Sequence, residues 1–480
     1  MSVNNLGNKT KSGFIWSAFE SFSGQGFQFV FSIILARLLA PEVFGIIGML
    51  AIFMALSNSL IDSGFGNALM QKNDRNQTDY STVFYVNLFM SICIYAVMFF
   101  AAPYIADFYN MPVLEGVTRV LSLQIIISGL ILVQITKLTI DLNFKKLTKI
   151  RVLSTVLSGT IGVLMAYKGF GVWSLVGQSL SNYFFQMILI WSFSHWLPSL
   201  CFSRDSFNKL FRFGSKLLIA GLIGQVFENI NSLIIGKFYK PQFLGYYTKA
   251  RSLVQLPSAT TTTVIYRVSF PVLCNIQEDD ERLSLAIHKL IRLTYFIVFP
   301  LMLGLLVVAD PLVEVLLTSK WSACVPYMQI LCVSMSLYPI CAYNIDVLLV
   351  KGHSGLHLKI DIAKKVFTVL VLFVTASISV TAICLGGILT GLFSWLLEGY
   401  YGSKKLNFKI KDQIKDILPS LFLSLLMAAM IYPISLFSFP AIIILVAQIL
   451  IGAIAYTLLS YSFERKLLVE FVQIFRNNRK

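Results

Sequence analysis

Apolar windows about 20 residues long recur from one end of the 480-residue chain to the other, separated by short polar stretches. A helix of about 20 apolar residues crosses a bilayer core, so the pattern predicts a series of membrane-spanning helices. Fourteen spans are expected. The first six lie near 14–38, 42–66, 80–103, 117–140, 150–168 and 171–196. The next six lie near 213–237, 247–273, 286–310, 324–350, 358–379 and 382–402, and a last pair near 416–436 and 440–461. The polar stretch Met1–Ser12 leads into the first span without a small-residue cleavage site, so no cleaved signal peptide is expected.

Inside this pattern the chain repeats itself. Gly24-Gln25-Gly26-Phe27, Ser32 to Arg37, Pro41 and Gly45 align without gaps on Gly224-Gln225-Val226-Phe227, Ser232 to Lys237, Pro241 and Gly245. A second echo sets Leu147-Thr148-Lys149-Ile150, opening the fifth span, against Leu356-His357-Leu358-Lys359-Ile360, opening the eleventh. Each repeat therefore holds six spans. An even number gives both halves one orientation, with a pseudo-twofold axis along the membrane normal, as in many transporters. The fold class expected is an all-α polytopic membrane protein: a lobe over 1–200, a second over 201–410, and two further helices with a basic tail over 411–480.

Composition narrows the function classes. Hydrophobic residues make up 56% of the chain and charged residues 13%, with a mean hydropathy of +0.75. Soluble domains carry about 25% charge, so a mainly soluble enzyme is excluded. The net charge of +16 comes from 39 Lys and Arg against 23 Asp and Glu. With both termini cytoplasmic, roughly 31 of those 39 fall on the inner side, which is the bias that orients membrane proteins and not a nucleic-acid footprint. The seven cysteines have no C-x-x-C spacing, and His353 with His357 has no third ligand nearby, so neither disulfides nor a metal is expected.

Polar groups inside the spans are the candidates for function, because a charge at bilayer depth costs about 2.5–3.5 kcal/mol on insertion scales. They gather on the first two spans of each repeat: Glu20, Gln25, Gln28 and Arg37; Asn58 and Asp62; Gln225, Glu228, Asn229 and Asn231; Lys249, Arg251, Gln255 and Arg267. If those four helices line a gap between lobes, the gap is hydrophilic and of mixed charge. The amides suit sugar hydroxyls, and Arg37, Lys249 and Arg251 suit phosphate oxygens; the alternative for such end residues is snorkelling, favoured for Lys237. Glu20, Asp62 and Glu228 are the candidates for coupling to protons or sodium, against a structural pairing role. Asp346 and Glu398 read as groups that cap or pair near helix ends. No cofactor is called for.

The segments Ile33 to Gly45 and Asp62-Ser63-Gly64-Phe65-Gly66, with Gly169-Phe170-Gly171-Val172-Trp173-Ser174-Leu175, resemble polysaccharide flippases of the colanic-acid-exporter type. So do Leu244-Gly245-Tyr246-Tyr247-Thr248-Lys249-Ala250 and the spacing of Pro257, Arg267 and Pro271. These flippases share a superfamily with multidrug extruders and peptidoglycan-precursor flippases. The resemblance implies an inner-membrane protein with two six-helix lobes in a V and two extra helices. It implies transfer of an undecaprenyl-diphosphate-linked oligosaccharide to the outer leaflet, with membrane lipids and polysaccharide polymerase or assembly proteins as partners and no nucleic acid. It assigns no site residues.

Two other readings stay open. An extruder of small cations predicts an acidic cavity, whereas the polar set here is mixed. A glycan polymerase or ligase predicts a long catalytic outer loop, whereas the outer loops expected here are short and charge-poor. No G-x-x-x-x-G-K-[ST] motif for ATP is present.

Overall fold

The structure, a computed structural model, describes residues 24–470 apart from 63, 73, 195, 407 and 466, with side chains at all of these except 213, 216, 217, 220, 256, 259–272 and 405. Among the described residues all regular structure is helical. Nine stretches among them are long and apolar enough to cross a membrane, four between Pro41 and Tyr167 and five between Asp280 and Phe463. This is a multi-span membrane protein. Fourteen spans were expected; other long helices carry the polar and charged positions that lower their hydropathy, and these include the equivalent pair of the second repeat.

The chain forms two compact units, Met1–Gly245 and Tyr246–Lys480. In the first, α1 covers 24–38, followed by α2 (Pro41–Asp62), α3 (Phe65–Gln71), α4 (Gln77–Tyr109), α5 (Val113–Leu121) and α6 (Leu123–Ile140). Then come α7 (Phe144–Tyr167), α8 (Val172–Ser194), α9 (Arg204–Phe238) and the start of α10 (Pro241–Asn275). The expected span 42–66 is broken at Gly64, whose φ of 68° lies in the left-handed region that glycine enters without steric cost. A Cβ there would also stand 2.7 Å from Gly214 Cα of α9, so the position requires glycine on two counts.

Local chemistry explains where α4 starts. Asn76 Oδ1 accepts from the Asp79 amide at 2.8 Å, and Asp79 Oδ2 accepts from the Asn76 amide at 3.0 Å, a reciprocal cap. Lys72 Nζ neutralises the buried Asp79 at 2.6 Å. The same end of α4 holds the segment after α8. Trp196 Nε1 donates to Gln77 Oε1 at 2.7 Å, the Ser199 amide to Ser81 Oγ at 2.9 Å and the Ser203 amide to Thr82 Oγ1 at 3.1 Å. Trp196 then packs with Phe65, Phe84, Val133 and Leu210 in one apolar cluster.

The second unit continues through α10 to α11 (Asp280–Val307), α12 (Ala309–Leu317), α13 (Val325–Ser336) and α14 (Tyr338–Val350). It ends with α15 (Ser354–Thr375), α16 (Val380–Lys405), α17 (Ile410–Ile431) and α18 (Ala441–Phe463). The expected span 324–350 is interrupted at Leu337 because Pro339, in the first turn of α14, has no N–H with which to continue α13. The last pair packs on this unit: α17 lies along α11, and α18 packs against α17 and α12. Asp416 of α17 takes His288 Nδ1 and, at 2.7 Å, Arg292 Nε from α11. Tyr295, Phe299, Tyr343, Phe408 and Ile417 fill the core between these helices.

The internal repeat is legible in the backbone. α6 and α14 end 210 residues apart, each followed two positions later by a left-handed residue, Leu142 (φ 53°) and Gly352 (φ 75°).

Candidate functional site

Within the first unit the polar candidates sit on three helices. Gln25, Gln28 and Arg37 lie on α1 and are exposed among the described residues. Asn58 is partly buried on α2, with its Oδ1 buried and unpartnered among the described residues. Asp62 closes α2 and is exposed, with Oδ1 3.3 Å from the position a Cβ on Gly66 would take; Thr136 Oγ1 of α6 is equally close to that point. On α9, Gln225, Asn229 and Asn231 are partly buried and Glu228 is exposed. Asn229 Nδ2 donates to the Gln225 carbonyl at 3.0 Å, so part of its capacity is spent on its own helix.

α2 and α9, two of these helices, share a close seam that runs the length of α2. Gly64 approaches Gly214, Ser59 Oγ lies 3.2 Å from the Cβ position of Gly221, and Met49 Cγ lies 3.0 Å from that of Gly236. At its far end a Cβ on Gly45 would fall on the Pro241 carbonyl, and one on Gly245 on the Pro41 carbonyl. Small residues are what let two membrane helices approach so closely. Lys237, beside this end, donates from Nζ to the Phe108 carbonyl at 2.5 Å and lies over the Phe108 ring.

In the second unit, Lys249 is only 5% exposed, and its Nζ lies 5.9 Å from the ring centre of the fully buried Trp321. Tyr246 packs edge-on against the same ring, and its hydroxyl donates to the Lys320 carbonyl at 3.3 Å. Arg251 is partly buried and Gln255 exposed. The side chain of Arg267 and the whole of Glu20 lie outside the described residues.

Three further polar features of the second unit lie outside that set. Lys364 Nζ of α15 pairs with Glu398 Oε1 of α16 at 2.5 Å, with Glu398 fully buried. Asn344 of α14 and Gln413 of α17 exchange amide hydrogen bonds at 3.1 and 2.8 Å, and Trp395 Nε1 adds a third at 2.8 Å. Asp346, expected to cap or pair, does neither: it is 3% exposed, and its Oδ2 is buried without a partner among the described residues. Glu398 does pair, as expected.

Comparison with known proteins places this architecture. The family described as polysaccharide biosynthesis protein matches residues 34–326. The chain belongs to that family. The resemblance drawn from the segments between Ile33 and Pro271 is thereby shown. Among relatives, the Lipopolysaccharide biosynthesis protein WzxC of Escherichia coli (strain K12) is 29% identical over 68% of this chain and 67% of its own length. The Succinoglycan biosynthesis transport protein ExoT of Rhizobium meliloti (strain 1021) is 25% identical over 68% of this chain and 66% of its own. Both alignments span about two thirds of the relative. The solved structure of the lipid II flippase MurJ in an inward closed conformation matches the fold with a TM-score of 0.75, at 15% identity, over 95% of this chain and 99% of that one.

Proposed function

We propose that this protein is an inner-membrane flippase that carries a lipid-diphosphate-linked oligosaccharide from the cytoplasmic to the outer leaflet for surface polysaccharide synthesis. It works by alternating access, coupled to a proton or sodium gradient. The observation that carries this reading is the family match falling on a multi-span helical chain whose helices hold amides and cations. A lipid-linked saccharide asks for both kinds of group. Its sugars need hydrogen-bonding partners such as Asn58, Gln225 and Asn231, and its diphosphate needs cations such as Arg37, Lys249 and Arg251. The lipid chain itself needs only apolar surface and stays in the bilayer.

The charge bias of the loops supports cytoplasmic termini. Membrane lipids are the constant neighbours of such a carrier, and polysaccharide polymerase or assembly proteins its functional partners. Asp62 and Glu228, with Glu20, remain the proposed coupling carboxylates of the first two helices of each repeat.

Deleting the gene tests the reading. The expected result is loss of surface polysaccharide, with lipid-linked repeat units retained on the cytoplasmic leaflet. Unchanged polysaccharide together with new drug sensitivity would favour an extruder and overturn it.

A further inference from the structure

Among the described residues, most charged side chains on the helices around α14 are paired. α14 packs against α11, α13, α15 and α16. On α15 and α16, Lys364 is bound to Glu398 at 2.5 Å and Lys365 to Asp361 at 2.5 Å. On α11, His288 and Arg292 are both bound to Asp416. The two phenols in this region are also engaged: Tyr343 shares a 2.6 Å hydrogen bond with Thr294, and Tyr295 donates to the Ser336 carbonyl at 3.0 Å. Asp346 stands apart. It is 97% buried by the same measure that leaves it 3% exposed, it makes no ion pair among the described residues, and its Oδ2 has no partner.

The repeat shows that the fold does not require a carboxylate there. With the ends of α6 and α14 offset by 210 residues, the equivalent of Asp346 in the first unit is Thr136. Thr136 Oγ1 donates to the Leu132 carbonyl of its own helix at 2.9 Å and so satisfies itself. A small hydroxyl suffices for packing at this position. A carboxylate adds a charge shielded from solvent that no cation among the described residues answers, within a stretch long and apolar enough to cross the membrane. A buried charge at that depth is costly when nothing pairs with it, which points to a mobile cation as its partner.

We propose that Asp346 is a fourth coupling carboxylate beside Glu20, Asp62 and Glu228, binding and releasing a monovalent cation, a proton or a sodium ion, that drives this carrier. The assignment rests on the flippase reading above only for the word "drives"; the cation site stands on burial and pairing alone. With the cation bound, Asp346 is neutral and compatible with close packing of α14. Once the cation leaves, the bare carboxylate favours a state in which water reaches α14, so cation occupancy biases two conformations of the second unit.

The test uses the full chain, purified in detergent and in vesicles. Dicyclohexylcarbodiimide, which modifies membrane-buried carboxyl groups, is expected to form an adduct on Asp346 that mass spectrometry locates. Protection by sodium chloride, absent with choline chloride, identifies sodium; protection only by raised pH identifies a proton. Absence of an adduct on Asp346 under every condition overturns the site. In vesicles loaded with a lipid-linked oligosaccharide, Asp346→Asn is expected to lose the response to an imposed proton or sodium gradient, whereas Asp346→Glu keeps it. Should Asp346→Asn respond like the unaltered chain, the coupling role falls while the flippase reading survives. If the unaltered chain forms the adduct but moves no lipid-linked oligosaccharide, the flippase reading falls and the cation site survives.

Discussion

Gly45 meets Pro241 backbone to backbone: a Cβ on the glycine would fall on the proline carbonyl. The relation is reciprocated by Gly245 and Pro41, the residues that the repeat places in the same positions. Two copies of one turn thus pack on each other about a local twofold, the self-complementary geometry of an isologous contact. Duplication explains why both glycines and both prolines are present. Each copy supplies the glycine that the other copy's carbonyl needs.

Enlarging either glycine therefore strikes rigid backbone. Gly45→Leu and Gly245→Leu are each expected to lower stability by about 1–3 kcal/mol through overpacking, or to separate the two turns. Gly224→Ala serves as the control, since nothing lies within 4 Å of its Cβ position, and it is expected to be neutral or mildly stabilising. Thermal unfolding of the purified variants in one detergent compares them. Equal unfolding temperatures for Gly45→Leu and Gly224→Ala would remove the close approach from the account.

The buried pair Lys364–Glu398 makes a different prediction. Glu398→Ala strands the Lys364 ammonium beside apolar neighbours and is expected to cost about 3–5 kcal/mol. Adding Lys364→Met removes the stranded charge, so the double variant should recover most of that loss. Unfolding measurements on the two single variants and the double variant give the coupling. Additive losses would show that the two side chains do not interact.

Gln413 ties the appended helix α17 to the repeat through Asn344 and Trp395. Gln413→Leu leaves the buried Asn344 and the half-buried Trp395 without their hydrogen bonds, at about 1–3 kcal/mol for each orphaned group. Its unfolding temperature should fall well below that of Ser435→Ala, a change at an exposed hydroxyl that bonds only to its own local carbonyl. Equal temperatures would mean that α17 is held by apolar packing alone.

For transport, Arg37→Ala and Arg251→Ala are expected to depress polysaccharide export at unchanged membrane abundance, with Lys replacing either residue giving partial recovery. Quantified surface polysaccharide against immunoblotted protein is the measurement. Normal export in both alanine variants would take these residues off the diphosphate.

Much of this was legible in the residues. The alignment of Pro41 and Gly45 on Pro241 and Gly245 gave the repeat, and hydropathy gave most helices to within a few positions. The break at Gly64 was hidden because a positive φ leaves no mark on hydropathy, and the break before Pro339 because the apolar run continues across it. Glu398 reads as a group that caps or pairs, but its partner Lys364 stays hidden, since the pairing depends on how two successive helices are rotated. Asn344 and Gln413 are 69 positions apart, and the sequence pattern placed Gln413 before its helix began. Asp346 reads as a group that caps or pairs near a helix end; only the packed helices reveal that nothing among the described residues pairs with its Oδ2.

The most direct measurement places the purified chain in sealed vesicles with a lipid-diphosphate-linked oligosaccharide in the inner leaflet. A membrane-impermeant lectin or glycosidase added outside then reports how much sugar reaches the outer leaflet. The account predicts that exposure rises with the protein present, accelerates under an imposed proton or sodium gradient, and slows in Arg251→Ala. Exposure no faster than in protein-free vesicles, with the protein shown to be folded, would contradict it.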